Sequence, residues 1–248
     1  MNDLLDSKII KDKCKYDVDI VVFDEIDSTN RYAKELEKDK TIVISDTQSN
    51  GRGRLGRDFL SSKGKGIYMS ILLKYDEKML DPTLLTCFTG TVVSKVFEHL
   101  LGLNPGIKWV NDIYINNKKV CGILVESVIK NNNFDKFIVG IGINVYKQEF
   151  PIELVDKITT LEDNTKIKVS RNEIIASIIN EFFDNLNKPF MDYYKDKMIL
   201  KQKLVEINER DKRYMAEVID VSDNGELIIK YNGELKKLYT GEVVRVKM

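Results

Sequence analysis

A short segment rich in glycine and arginine carries the residue types best suited to hold an anion. Residues 51–57 read GRGRLGR, with three arginines and three glycines in seven positions. Glycine lets the backbone approach a ligand closely, and each guanidinium presents a rigid set of donors that matches phosphate or carboxylate oxygens. A solvated basic loop is the alternative, and the segment by itself does not decide between the two.

Hydroxyl and amide side chains gather where the first predicted strand meets a helix. Ser28, Thr29 and Asn30 stand at this junction, and Gln48 follows the next predicted strand. Helix capping or contact with water is the ordinary role of such residues. At the carboxyl ends of strands the same groups also bind polar ligands, so they are candidates for recognising a neutral ligand with donors and acceptors.

A lysine and a glycine-containing strand complete the set of candidates. Lys119 begins a predicted buried strand that contains Gly122, shortly after the sequence KWVND at 108–112. A lysine at a hairpin is usually a solvated charge, but against an apolar strand it can stabilise a phosphate or a developing oxyanion. The strand 139–144, VGIGIN, contains two glycines, which indicates that a ligand or another backbone comes close to it. Asn144 ends this strand with an amide that suits an adenine edge, among other ligands.

Composition limits the class of protein. The 248 residues contain 39 Lys+Arg and 39 Asp+Glu, so the formal net charge is zero, whereas proteins that bind bulk nucleic acid normally carry a basic excess. Cys14, Cys87 and Cys121 are far apart and odd in number, which favours reduced thiols over a disulfide framework or a zinc site. No apolar run approaches the roughly 20 residues that a membrane span needs, and the first ten residues lack the pattern of a signal peptide. We expect a cytoplasmic enzyme or binding protein.

The hydrophobic pattern predicts the elements that must position these residues. Strands are predicted at 19–23, 41–45, 67–73, 107–115, 119–128 and 135–145, with helices at 29–37, 82–101 and 171–186. Beyond about residue 200, short runs at 213–220, 226–231 and 235–239 are separated by glycine-containing turns. These short strands predict a small β-barrel after an α/β core, with the boundary near residue 200.

Four motifs in this order resemble the biotin–protein ligase family: EIDSTN, QSNGRGRLGR, KWVNDIYINNKKVCGILVE and GIGINV. The resemblance covers roughly residues 19–248. It implies an α/β (α+β) fold, with a catalytic domain at 1–200 built on a mixed, largely antiparallel sheet with helices. Residues 1–18 would be a short extension and 201–248 a C-terminal SH3-like barrel. It also implies that MgATP activates biotin to biotinyl-5′-AMP and pyrophosphate, and that biotin then passes to a lysine of a biotin carboxyl carrier domain.

The resemblance also assigns roles to individual residues. The residues implied to bind biotin are Ser28, Thr29, Asn30, Gln48, Gly51, Arg52, Gly53, Arg54, Lys119 and Gly122. Those implied on the nucleotide side are Arg54, Arg57, Phe59, Asn111, Asp112 and Asn144. Residues 28–30 and Gln48 would hold the ureido ring, whereas Arg52 would hold the carboxyl end. Lys119 would act with Arg52 in catalysis by stabilising charge on the carboxylate and the α-phosphate. Mg²⁺ is expected to bind mainly through the substrate phosphates.

The chain departs from the family pattern at two positions and at its beginning. Val110 stands where members often have proline, and Phe59 where a tryptophan often follows the arginine loop, which leaves a smaller face for stacking on adenine. About 18 residues precede the first predicted strand, fewer than the winged helix-turn-helix of bifunctional members needs. We therefore expect a monofunctional ligase that does not bind DNA or membranes. The sequence is compatible with either a monomer or a homodimer.

Two other functions are alternatives to a biotin–protein ligase, and each uses different chemistry. A lipoate–protein ligase would share the core and the adenylation step, and the set Ser28, Thr29, Asn30 and Gln48 is what favours biotin. A non-enzymatic module that binds nucleic acid or a nucleotide is the second alternative. Zero net charge argues against nucleic acid, and the chain has no GxxxxGK[ST] loop to cradle a nucleotide.

Overall fold

The computed structural model describes residues 3–76, 80–168, 170–209 and 212–246. The α-helices are α1 (Ser7–Lys13), α2 (Thr29–Glu35), α3 (Pro82–Leu101), α4 (Arg171–Asn185) and α5 (Met191–Lys197). The strands of the first sheet are β1 (Asp19–Phe23), β2 (Thr41–Ser45), β3 (Gly66–Lys74), β4 (Gly106–Lys108), β5 (Asp112–Ile115), β6 (Lys118–Lys130) and β7 (Asn133–Asn144). The strands of the second sheet are β8 (Leu204–Glu209), β9 (Lys212–Val221), β10 (Leu227–Tyr231), β11 (Glu234–Leu238) and β12 (Glu242–Val246).

The first sheet has the strand order β1-β2-β3-β7-β6-β5-β4. Strand β1 is parallel to β2, and every other neighbouring pair is antiparallel. The expected α/β (α+β) fold with a mixed, largely antiparallel sheet is therefore confirmed. Because successive side chains of a strand point to opposite faces, Ile67 and Ile71 of β3 join the main core with α3 and α4, whereas Ser70 contacts α2 on the other face.

The predicted single strand at 107–115 is wrong, because the chain reverses inside it. Strands β4 and β5 pair with each other in antiparallel register, and residues 109–111 form the connection. The Trp109 side chain is buried and donates from Nε1 to the carbonyl oxygen of Gly225 at 2.9 Å. Asn111 donates from Nδ2 to the carbonyl oxygen of Ile123 at 3.1 Å. These two contacts to distant segments hold the turn, and the apolar alternation of the run gave no sign of them.

Asparagine pairs make the two hairpin turns of the first sheet. Asn116 and Asn117 have φ values of 50° and 63°, and Asn131 and Asn132 have 51° and 62°. Asparagine enters this left-handed region more easily than other residues with a side chain, and two consecutive positive φ values suit the twist of a hairpin. The turns predicted at 116–118 and 131–133 are therefore confirmed.

Helix α3 is the central helix of the main core. Asp81 caps its start, with Oδ1 accepting from the N–H of Thr83 at 2.7 Å and of Leu84 at 3.0 Å, and the helix ends at Gly102 with a φ of 62°. Among the described residues it alone is long and apolar enough to cross a membrane by length and composition, and 72% of that window is buried inside the protein. Its apolar side chains pack against α4 and the sheet, as those of a core helix do.

The second sheet has the order β11-β10-β9-β8-β12, with every neighbouring pair antiparallel. Strands β9, β10 and β11 correspond to the three predicted runs, whereas β8 and β12 were not predicted. Because β11 and β12 are not paired with each other, this sheet is open in the described residues, and the expected closed barrel is not confirmed. Its apolar face packs against Ile107, Trp109 and Tyr194, so the two sheets share a core.

The three cysteines are free thiols. Cys87 and Cys121 are buried, and Cys14 is half-buried. Burial raises the pKa of the Cys87 thiol to about 12, which keeps it protonated and unreactive at neutral pH. None of the three cysteines forms a disulfide in the described residues.

The Asp81 cap gives a stability prediction for α3. Asp81→Ala should lower the free energy of unfolding by about 1 kcal/mol, because two backbone N–H groups lose their acceptor. Asp81→Asn keeps an acceptor at the same place and should stay within a few tenths of a kcal/mol of wild type. Urea denaturation followed by circular dichroism measures both, and equal losses in the two variants would contradict a capping role.

Candidate functional site

A cavity of about 140 Å³ brings most of the candidate residues together. It lies over the face of β3, β7 and β6 that also contacts α2, and the segment 52–59 covers it. The candidate residues that line it are Ser28, Thr29, Asn30, Gln48, Arg52, Gly53, Arg54, Arg57, Phe59, Asn111, Asp112, Lys119 and Gly122. Gly51 and Asn144 are not among its lining residues. The cavity therefore joins segments that are far apart in the chain, such as α2 and β6, where Asn30 and Leu124 are 94 residues apart.

The start of α2 forms a neutral polar end of the cavity. Ser28 caps the helix, its Oγ accepting from the N–H of Arg31 at 3.4 Å. The N–H and the hydroxyl of Thr29 donate to Gln48 Oε1 at 2.8 and 3.1 Å, and Gln48 Nε2 donates to Ser61 Oγ at 3.0 Å. These bonds fix the orientation of the Gln48 amide. The capping interpretation of Ser28 is correct, and the cap does not prevent these groups from facing the cavity.

Three glycines on β6 and β7 let functional side chains lie directly against the sheet. A Cβ on Gly140 would collide with the amide of Asn30, and a Cβ on Gly142 would lie 2.5 Å from the Phe59 ring. A Cβ on Gly122 would lie 3.1 Å from Lys119 Nζ. The glycines were expected to admit a ligand or another backbone, and here they admit side chains. Asn30 and Phe59 could not occupy their positions over larger residues, and Lys119 would have to shift by a few tenths of an ångström.

An ion pair marks the charged end of the cavity. Lys119 Nζ lies 2.7 Å from Asp112 Oδ1, and both side chains are partly buried. The backbone of Lys119 is held on its outer side, donating to the carbonyl oxygen of Lys157 at 2.8 Å and accepting from the N–H of Thr159 at 2.9 Å. These bonds fix the start of β6, so the ammonium group is presented to the cavity from a rigid strand.

Lys108 is a candidate that the sequence analysis did not single out, although it lies in the KWVND motif. It lines the cavity and pairs with Asp112 in the β4–β5 hairpin. Its Nζ lies 5.9 Å from the centre of the Tyr114 ring and makes no hydrogen bond or ion pair with the described residues. Burial lowers the pKa of its ammonium group, against the opposing effect of Asp112 and Glu242. A half-buried ammonium without an acceptor among the described residues is suited to binding an anionic ligand.

The three arginines of the 51–57 loop have different environments. Arg54 donates from Nη1 to Asn111 Oδ1 at 3.1 Å and from Nη2 to the carbonyl oxygen of Gly241 at 3.3 Å. Arg57 forms a two-pronged ion pair with Glu242, with Nη2 donating to Oε2 at 2.6 Å. Arg52 is exposed, and its guanidinium makes no hydrogen bond or ion pair within the described ranges. Arg54 and Arg57 therefore hold the loop against the second sheet, while Arg52 is available to an anion.

Gly51 and Asn144 do not line the cavity but lie next to residues that do. A Cβ on Gly51 would lie 2.6 Å from the carbonyl oxygen of Phe59, which shows how closely the two ends of the loop approach. Asn144 is buried at the end of β7, opposite Gly66, and on the same face of the strand as Gly142. Glu242 lines the cavity from β12. Sequence reasoning missed Glu242 because only the folded chain brings β12 to the arginine loop.

Comparison with known proteins finds relatives over most of the chain. A model of the biotin/lipoate A/B protein ligase family matches residues 22–144. The bifunctional ligase/repressor BirA of Bacillus subtilis (strain 168) is 31% identical over 241 residues, which cover 90% of this chain and 73% of that protein. The biotin--[acetyl-CoA-carboxylase] ligase of Mycobacterium tuberculosis is 24% identical, over 88% of this chain and 83% of that protein.

A solved structure agrees with this chain in fold as well as in sequence. The biotin protein ligase from Aquifex aeolicus, in complex with biotin and ATP, superposes with a TM-score of 0.80 and 31% identity. The match covers 90% of this chain and 97% of that chain.

The unpaired Lys108 predicts a contribution to anion binding. Lys108→Met should weaken ATP binding by about 10- to 150-fold, because a hydrogen bond to a charged group contributes about 1.5–3 kcal/mol. Lys63→Met is the matched control, since Lys63 is exposed and does not line the cavity. Isothermal titration calorimetry with ATP measures both variants, and equal effects would contradict a local role for Lys108.

The lowered pKa of Lys108 adds a prediction about pH. ATP binding should weaken as the pH rises, because Lys108 loses its proton at lower pH than an exposed lysine does. Lys108→Arg stays charged throughout, so it should retain affinity further into the alkaline range. The same titrations, run at a series of pH values, test this, and identical pH profiles for wild type and Lys108→Arg would exclude Lys108 as the titrating group.

Proposed function

We propose, from the premise that this chain belongs to the biotin/lipoate A/B protein ligase family, that it is a biotin–protein ligase. It activates biotin with MgATP to biotinyl-5′-AMP and pyrophosphate, and then transfers biotin to a lysine of a biotin carboxyl carrier domain. The observation that carries the proposal is the two-ended cavity, with a neutral polar end at the start of α2 and a cationic end around Lys119.

The neutral end favours biotin over lipoate. A ureido ring offers two N–H donors and one carbonyl acceptor, which match the hydroxyl and amide groups of Ser28, Thr29 and Gln48. A dithiolane ring has neither, so it would displace water from these groups without replacing the hydrogen bonds to that water, at a cost of about 1–3 kcal/mol for each bond lost. The lipoate alternative is therefore not favoured.

The cationic end supports adenylation. A carboxylate oxygen of biotin attacks the α-phosphorus of ATP, the bond to the bridging oxygen breaks, and pyrophosphate leaves. Lys119, oriented by its ion pair with Asp112, stabilises the charge that develops on the carboxylate and α-phosphate oxygens. Arg52 has a free guanidinium and binds the carboxyl end of biotin in this scheme. Precise placement of the two substrates supplies much of the rate.

Transfer needs no further nucleophile from this chain. The amine of the carrier lysine attacks the carbonyl carbon of biotinyl-5′-AMP, an amide bond forms, and AMP leaves with the electron pair of the broken anhydride bond. No covalent link to the enzyme is required. The enzyme holds the mixed anhydride and presents its carbonyl carbon to the carrier lysine.

The nucleotide occupies the side of the cavity near Phe59 and the 109–112 turn in this proposal. Phe59 offers an aromatic face for adenine, while Asn111, Asp112, Arg54 and Arg57 surround the phosphates. Asn144 lies on the same face of β7 beyond Gly142, and its amide serves the adenine edge or ribose.

Mg²⁺ enters mainly with the nucleotide. The described residues contain no group of three or more His, Cys, Asp and Glu side chains that could hold a metal ion. Asp112 supplies a carboxylate at the charged end, and Mg²⁺ is usually bound by one or two carboxylates together with substrate phosphates. When bound, the ion neutralises the phosphate charge.

The proposal also covers the domain organisation, the partner and the cellular location of the enzyme. The proposal takes residues 1–200 as the catalytic domain and 201–248 as an SH3-like barrel domain. The partner is a carrier domain rather than DNA, in keeping with zero net charge. We place the enzyme in the cytoplasm.

The decisive experiment measures pyrophosphate release from ATP with biotin, with lipoate and with neither. A carrier domain is then added, and its mass is measured. Biotin-dependent release followed by a biotin-sized mass increase on the carrier is the expected result. Pyrophosphate release with lipoate alone would identify a lipoate–protein ligase instead. No release with either acid would contradict a ligase.

Lys119→Met tests the assignment of the charged end. The rate of biotinyl-5′-AMP formation should fall by about 100- to 1,000-fold, because the preorganised charge at the reacting oxygens is lost. Lys118→Met is the matched control, since Lys118 is directed away from the reaction and donates to the carbonyl oxygen of Val155 at 3.0 Å. Thermal melting should show both variants folded, and an unchanged rate in Lys119→Met would remove Lys119 from the catalytic site.

A further inference from the structure

Three acidic side chains line the cavity, and two of them are already paired. Asp112 lies against Lys119, and Glu242 forms its two-pronged ion pair with Arg57. The third, Asp58, is exposed, and its side chain makes no hydrogen bond or ion pair with any residue that the structure describes. Within the described part of the chain, it is therefore the one lining carboxylate that is free to bind a ligand.

The backbone of the arginine loop fixes the position of Asp58. Two backbone hydrogen bonds, of 2.7 and 2.9 Å, join residues 51–53 to residues 57–59. Asp58 lies between these bonds, directly opposite Arg52 in a short antiparallel bridge. Opposed residues of this kind project their side chains to the same side, with Cβ atoms about 4.5–5.5 Å apart. The carboxylate of Asp58 and the guanidinium of Arg52 therefore start from adjacent points, although they form no ion pair with each other.

Asp58 lies at the rim of the cavity. The ring of the next residue, Phe59, lies over Gly142, so Phe59 faces the sheet. Because successive side chains of an extended segment point to opposite sides, Asp58 faces away from the sheet. It is both exposed and a lining residue, as a residue at the rim must be. A protein substrate that approaches the cavity from solvent therefore meets this carboxylate.

The charge of the cavity is unfavourable for an amine substrate. A lysine side chain has an ordinary pKa of about 10.4, so the lysine of a carrier domain arrives as an ammonium group. Positive side chains suit a carboxylate and phosphates, but they repel an ammonium group. The cationic residues that line the cavity are Arg52, Arg54, Arg57, Lys108 and Lys119. An unpaired carboxylate among them offsets this repulsion at one point of the rim.

We propose that Asp58 binds the ammonium group of the acceptor lysine and places its nitrogen beside the acyl carbon of the mixed anhydride. The inference rests on the proposed function, in which Arg52, directly opposite Asp58, binds the carboxyl end of biotin. The ammonium group releases one proton before attack and a second as the amide bond forms, and both pass to the solvent that surrounds Asp58. The anhydride C–O bond breaks, and AMP leaves with its electron pair. Asp58 thus serves transfer and has no part in adenylation.

Asp58→Asn removes the charge and keeps the shape of the side chain. With chemically prepared biotinyl-5′-AMP and a biotin carboxyl carrier domain, kcat/KM for the carrier should fall by about 5- to 10-fold, a value between those of an exposed ion pair and a charged hydrogen bond. Formation of biotinyl-5′-AMP, measured as pyrophosphate release without carrier, should be unchanged. Asp58→Glu keeps the charge and should retain most of the transfer rate.

Hydroxylamine separates recognition of the ammonium group from general damage to the loop. This small nucleophile attacks the same acyl carbon, but it is uncharged at neutral pH and offers Asp58 no ammonium group to bind. Its reaction with biotinyl-5′-AMP bound to excess enzyme, measured as the hydroxamate, should be equal in wild type and Asp58→Asn. Asp24→Asn is the matched control, since Asp24 is also exposed but does not line the cavity, and it should leave both reactions unchanged.

Equal slowing of the carrier and hydroxylamine reactions in Asp58→Asn, or slower adenylation, would overturn the proposal, because Asp58 would then act only by supporting the loop or Arg52. A carrier reaction that is unchanged, or that Asp24→Asn slows as much, would overturn it as well. Asp58→Ser gives the same comparison if thermal melting shows that Asp58→Asn is unfolded. Absence of biotin-dependent pyrophosphate release in wild type would instead overturn the proposed function.

Discussion

The rest of the structure depends on close packing of functional side chains against bare backbone on β6 and β7. Asn30, Phe59 and Lys119 come from three separate segments, and each lies against a strand position that has no Cβ. Glycine weakens a strand, and the central position of these strands, buried between neighbours on both sides, offsets that loss. One face of the sheet can therefore hold the neutral polar end and the charged end of the cavity at a fixed distance from each other.

The second sheet is part of the wall of the site rather than an appendage. Arg57 pairs with Glu242, Arg54 donates to the carbonyl oxygen of Gly241, and the Trp109 indole donates to that of Gly225. The loop that carries the arginines includes Leu55 at a φ of 56°, an uncommon conformation for a residue with a side chain. Contacts to the second sheet hold the loop in this form, so the two sheets determine the shape of the anion site jointly.

The sequence predicted features that depend on neighbours along the chain. Local geometry is determined by the alternation of apolar residues along the strands, by the Asp81 cap and by the paired asparagines. The order of the four motifs indicated the family. The split at 109–111, the position of β12 and the contact between Asn30 and Glu126 could not be predicted in this way. Each depends on a partner in a distant segment: Trp109 on Gly225, Arg57 on Glu242, and Asn30 on Glu126.

The ion pair between Arg57 and Glu242 joins positions 185 residues apart. A contact of such sequence separation closes a very long loop, and the entropy lost on closure means that it forms only when much of the chain is already folded. The fixed geometry of the anion site therefore requires both sheets. A chain in which only the first sheet is folded would carry the lysines and arginines without that geometry, so competence for chemistry is a property of the whole fold rather than of the first sheet.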